Sequence, residues 1–136
     1  MSGGADVFGW LAEAGESLSS NAAYRRLGTA DFRLGLVAES ETRMIAFTAF
    51  GVAAADAAHP TDLRDADLVI EMAADAWRTY LDARAQGAGP SLLELDLDLR
   101  VIRAPDPVRA LLLERYNLSV QALVDEGARL AAAAKA

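Results

Sequence analysis

The chain contains no cysteine, one histidine and four prolines in 136 residues. Without cysteine there is no disulfide, no thiolate nucleophile and no thiolate metal site, which fits a reducing compartment. One histidine does not make a usual zinc site. Basic residues are outnumbered, at 13 against 20 acids, leaving a net charge of −7. A surface of that sign repels phosphate backbones and anionic headgroups, so nucleic acid is not an expected partner. No run approaches the ~20 apolar residues that span a bilayer, so stable membrane insertion is not expected either. The first residues, Met1-Ser2-Gly3-Gly4, lack the basic region and apolar run of a secretory signal, so a cytoplasmic location is expected. Gly-x-Ser-x-Gly and phosphate-loop motifs are absent.

What is present is apolar residue in quantity: 53% of the chain. A single domain spanning residues 1–136 is expected, and a chain this long buries about 68% of the surface its unfolded form exposes. Val7, Trp10, Leu11, Ala14 and Leu18 fall at helical spacing, predicting an N-terminal helix within residues 1–19. Asn21 would cap a short turn through Arg26. From Asp31 the period becomes two. Phe32, Leu34 and Leu36 predict one strand, residues 42–50 a second, Val52–Asp56 a third and Asp67–Met72 a fourth. Glu39-Ser40-Glu41 would turn the first hairpin. Trp77, Tyr80, Leu81 and Arg84 share a face of a helix near 74–86, ended by Gly87-Ala88-Gly89-Pro90. Leu93, Leu95, Leu97, Leu99 and Val101 alternate with Glu94, Asp96, Asp98 and Arg100, predicting a strand over Leu92–Arg103. Asp106 and Pro107 form a cap and first helical position. Asn117 would break or bend that helix, and a last one would run through Leu123 and Val124 into a 126–136 tail.

This order resembles the sterol carrier protein type 2 family over roughly residues 20–125. The similarity rests on the strand series Phe32–Asp56, on Ala66-Asp67-Leu68-Val69-Ile70 running into Ala74-Asp75-Ala76-Trp77, and on Leu99–Asp106 turning into a helix. Where that family's last strand usually ends in Gly-Asp, this chain has Pro105-Asp106. The resemblance implies an α+β fold, with a five-stranded, mainly antiparallel sheet covered by helices. It also implies an apolar tunnel for a lipid, sterol or acyl chain, and no cofactor. It nominates Phe47, Phe50, Trp77, Tyr80, Leu81, Leu112, Tyr116 and Leu123 as ligand contacts, although aromatic residues at helical spacing are as often ordinary core.

His59 would act as a base only if Asp56 or Asp62 oriented it; a solvated loop histidine is the plainer expectation. Arg64 would form a surface pair with Asp65 or Asp67. Glu94, Asp96 and Asp98 would offer oxygen ligands to a divalent cation, but their alternation with leucine suits a solvated strand face better. Three functions follow. The first is a carrier or ligand-presenting module for an apolar small molecule. The second is an accessory subunit, as a homodimer or beside a larger enzyme, packing through Ala131–Ala136. The third is a small isomerase or hydratase using His59 or Asp67.

Overall fold

The computed structural model describes residues 7–27, 30–39, 41–49, 51–54 and 58–135. Helix α1 is Leu11–Ser19 and α2 is Ala22–Arg25. Asn21 caps α2 as expected, its side chain accepting a hydrogen bond from the Tyr24 amide at 3.0 Å. Strands β1 (Phe32–Ala38), β2 (Glu41–Thr48) and β3 (Gly51–Ala54) follow. A 3-10 helix, Pro60–Asp65, leads to β4 (Leu68–Glu71). Helices α3 (Ala74–Ala85) and α4 (Leu92–Leu99) precede β5 (Ile102–Arg103) and α5 (Pro107–Lys135).

The five strands form one sheet in the order β3-β2-β1-β4-β5. Three of its four pairings are antiparallel; β1 and β4 run parallel, with Leu34 opposite Leu68 and Leu36 opposite Ile70. The α+β architecture holds, with a mixed sheet in place of a wholly antiparallel one. The parallel pair arises because the chain crosses back from the β3 edge through the 3-10 helix before entering β4, so β4 re-enters beside β1 in the same direction.

The alternation at Phe32, Leu34 and Leu36 puts those side chains on one sheet face. They join Ile45, Phe47, Val52, Leu68 and Ile70 in the main core, against Trp10, Leu11, Trp77, Leu81, Val120, Leu123 and Val124 from α1, α3, α5 and the turn before α1. The opposite face carries a smaller cluster of Val37, Val69 and Ala66, over which Leu63 of the 3-10 helix packs. Gly35 permits that packing: a Cβ there would lie 2.7 Å from Leu63 Cδ2.

Two expectations near the C-terminal side are corrected. Residues 92–99 are helical, although their leucines alternate with acids. Ser91 and Glu94 close a capping box, Ser91 Oγ accepting from the Glu94 amide at 3.2 Å and Glu94 Oε1 from the Ser91 amide at 3.0 Å. That satisfies two amides at the helix start. A strand over Leu92–Arg103 would also lack a ladder partner for most of its length, because β4 is four residues long and its edge away from β1 pairs with Ile102 and Arg103. The second correction concerns Asn117. Its amide side chain donates to the Glu114 carbonyl at 2.9 Å, and α5 continues unbroken for 29 residues.

Candidate functional site

The residues nominated from the sequence divide between closed core and open surface. Trp77 is fully buried; its indole N–H donates to the Val37 carbonyl at 2.8 Å and its ring meets Phe8 edge-on at 5.2 Å. Leu81 and Leu123 are buried beside it in the same cluster. Phe47 is buried and stacks on Phe32, with centroids 4.6 Å apart; Phe32 stacks in turn on the half-buried Tyr116 at 5.1 Å. Leu112 is half-buried on the same turn of α5. Phe50 lies outside the described residues.

Tyr80 reaches an open apolar space. Helical spacing turns Trp77 and Leu81 of α3 towards the sheet and leaves Ala76, Thr79 and Ala83 facing outward. The capping box sets α4 alongside, with Leu92 buried as its anchor and Leu95 half-buried. Between the helices lies an apolar groove of about 370 Å³, walled by Met72, Ala76, Thr79, Tyr80, Leu95 and Leu99 and bounded by Asp75, Ala83 and Pro90. That volume falls within the ~300–1,000 Å³ of small-molecule sites.

Tyr80 and Arg84 beside the groove are already paired. The Tyr80 hydroxyl donates to the Pro90 carbonyl at 2.9 Å and accepts from Gln121 Nε2 at 3.3 Å. Burial pushes its phenol pKa up, with the Gln121 hydrogen bond opposing, so Tyr80 is neutral at physiological pH. Arg84 holds Asp125 with two hydrogen bonds of 2.8 Å, and that hydrogen bonding raises the Arg84 pKa further. Sequence reasoning found Tyr80 but missed Met72, Ala76, Thr79, Leu95 and Leu99. The last two were hidden by the strand reading, and the Ser91-x-x-Glu94 pair was the signal that would have placed them on a helix.

A second, polar cleft of about 460 Å³ opens where β1 and β4 begin, lined by Phe32, Phe47, Arg33, Arg64, Arg109, Asp31, Asp65 and Asp67 among others. Asp67 pairs there with Arg109 at 3.3 Å and accepts the Arg33 amide at 2.8 Å. It does not pair with Arg64, whose Nε donates to the Thr61 carbonyl at 3.4 Å. Charges of both signs balance in this cleft.

The expected solvated surroundings of His59 are observed. Its ring Nδ1 lies 3.2 Å from Thr61 Oγ1, and the Asp62 carboxylate takes the His59 backbone amide, not the ring. Asp56 lies outside the described residues. Glu94, Asp96 and Asp98 do not converge: Glu94 serves the cap, Asp96 Oδ1 accepts the Ile102 amide at 2.7 Å, and Asp98 is exposed. Among the described residues no group of three or more His, Asp or Glu side chains is placed to hold a metal ion. No described helix is long and apolar enough to cross a membrane.

The chain aligns with a crystal structure of sterol carrier protein 2 at a TM-score of 0.60, covering 88% of this chain and 93% of that one, at 20% identity. The chain has the sterol carrier protein 2 fold. A UbiJ-SCP2 ubiquinone synthesis protein aligns at a TM-score of 0.49 and 15% identity, over 85% and 91% of the two chains. Neither a protein-family model nor a curated protein matches the sequence. Viewed as a sterol carrier protein 2 fold, the chain keeps a five-stranded sheet with helices, and an open apolar space lies between α3 and α4.

Proposed function

We propose that this chain binds an apolar small molecule, a lipid, sterol or acyl chain, as a carrier or ligand-presenting module. The observation that carries the reading is the groove between α3 and α4, whose lining is mostly methyl, methylene and aromatic surface, with Asp75 as its one charged residue among those described. Apolar area removed from water there contributes roughly 25 cal/mol per Å². The structural neighbour is named as a sterol carrier, and the proposal extends that role to this chain with Tyr80, Leu95 and Leu99 as contacts. Trp77 and Leu81 support the α3 wall from behind. Phe47 on the sheet and Leu112, Tyr116 and Leu123 on α5 would shape the core against which both walls rest.

The test is saturable binding of Nile red by the full chain, followed by its fluorescence. Thr79→Trp adds a large ring at an exposed position on the groove wall. It should abolish the signal and leave the circular dichroism spectrum and urea midpoint unchanged. Unaltered Nile red binding by Thr79→Trp would remove the groove from the proposal.

One observation favours a second reading, an accessory subunit or homodimer. Val108, Leu111 and Leu118 on the first half of α5 are 75%, 60% and 63% exposed, an apolar stripe of the kind that partners cover. A concentration-independent monomer mass in analytical ultracentrifugation would count against the homodimer.

A further inference from the structure

We infer that the groove selects uncharged amphiphiles and rejects anionic ones, an inference that rests on the binding role proposed above. The distinction lies in what surrounds the mouth. Among the described residues, the one charged side chain lining the groove is Asp75. The α4 wall and its cap carry Glu94, Asp96 and Asp98 against the single Arg100. Two further arginines lie close, and both are engaged: Arg78 with Asp75 at 3.0 Å and Arg84 with Asp125 at 2.8 Å. Arg84 also reaches the Gly89 and Pro90 carbonyls at 3.4 Å, which directs its guanidinium into the protein's own polar groups.

A carboxylate or phosphate head at this mouth would therefore meet an excess of carboxylates, Asp75, Glu94, Asp96 and Asp98, over guanidiniums, of which Arg78 and Arg84 are already paired. Tyr80 offers little more, since its hydroxyl proton is committed to Pro90. The Thr79 hydroxyl, exposed on the lining, remains as donor and acceptor. A hydroxyl partner suits an alcohol, sterol or other neutral head. Charge at this range discriminates through water, so the effect is set by a handful of acids and weakens with salt.

The experiment is competition for Nile red bound to the full chain, with 1-dodecanol and dodecanoate as matched twelve-carbon competitors at pH 7.5 and low ionic strength. Dodecanoate should need a roughly tenfold higher concentration than dodecanol for equal displacement. The ratio should shrink in 0.5 M salt, where the Debye length falls to about 4 Å from ~30 Å at 0.01 M. Asp98→Lys, an exposed position away from the lining, should move the ratio towards one while leaving dodecanol unchanged. Equal competition, preferred displacement by dodecanoate, displacement by neither, or a ratio that Asp98→Lys leaves untouched would each overturn the selectivity. Failure of Nile red itself to bind would overturn the binding role, and the selectivity with it.

Discussion

Gly127→Ala sets two familiar effects against each other and lets geometry decide. Gly127 lies within α5, where alanine is favoured over glycine by about 1 kcal/mol. The close approach of α1's entry turn opposes that gain. A Cβ on Gly127 would lie 2.5 Å from Trp10 Cζ3 and 2.6 Å from Cδ2, more than 1 Å inside ordinary carbon contact at ~3.5–4.0 Å. Trp10 cannot yield freely. It is 7% exposed and meets Phe8 edge-on at 6.2 Å, and Phe8 meets the buried Trp77. Overpacking of this kind costs about 1–3 kcal/mol. The rigid ring and the fixed helix backbone place Gly127→Ala towards the upper end, for a net loss of about 1–2 kcal/mol after the propensity gain. In a chain of this size the melting temperature should fall by roughly 3–8 °C. Urea denaturation of wild type, Gly127→Ala, Trp10→Phe and the double variant forms a cycle, and the smaller ring should relieve much of the clash. A Gly127→Ala chain as stable as wild type, or more so, refutes the argument that Trp10 fills the space over Gly127.

Three further outcomes are expected. The Asp106 carboxylate accepts the Arg109 amide at 2.8 Å, so Asp106→Ala should cost about 1 kcal/mol and lower the urea midpoint. His59→Ala should leave both the urea midpoint and Nile red binding unchanged, since His59 is exposed and its ring lies beside Thr61 of the 3-10 turn; lost binding with an intact fold would give His59 a ligand role. Hydrogen bonds from Arg129, then Ser17, hold the Glu126 carboxyl below its usual range against partial burial. A depressed folded pKa contributes stability that is fully present above the unfolded value, near 4.3, and is lost as pH falls through the folded value. Glu126→Gln should therefore flatten the decline of the urea midpoint below about pH 4.3, and an identical pH profile for the two proteins would contradict this.

Much of the layer structure is written locally in the sequence. Phe32, Leu34 and Leu36 alternate because one face of β1 is buried, and Asn21 and Asp106 sit where unpaired helix amides need an acceptor. The parallel pairing of β1 with β4 is not local. It depends on the path of the chain through the 3-10 helix, which no pattern within β4 records. At 92–99 two local signals conflict. Period-two leucines favour a strand, and Ser91-x-x-Glu94 favours a helix. The helix prevails, and its cost is visible in Leu97 and Leu99, 80% and 63% exposed. For the same reason only Tyr80 of the groove was legible. Leu95 and Leu99 face Met72, Ala76 and Thr79 only once α4 is a helix, and small residues such as Ala76 carry no pattern that distinguishes a ligand wall from a solvated face.

The most direct test of the central claim is an amide and methyl chemical-shift titration of the full chain with 1-dodecanol. The account predicts saturable shifts concentrated at Met72, Ala76, Thr79, Tyr80, Leu95 and Leu99. Absence of any saturable shift, or shifts confined to the polar cleft around Arg33, Asp67 and Arg109, would contradict it.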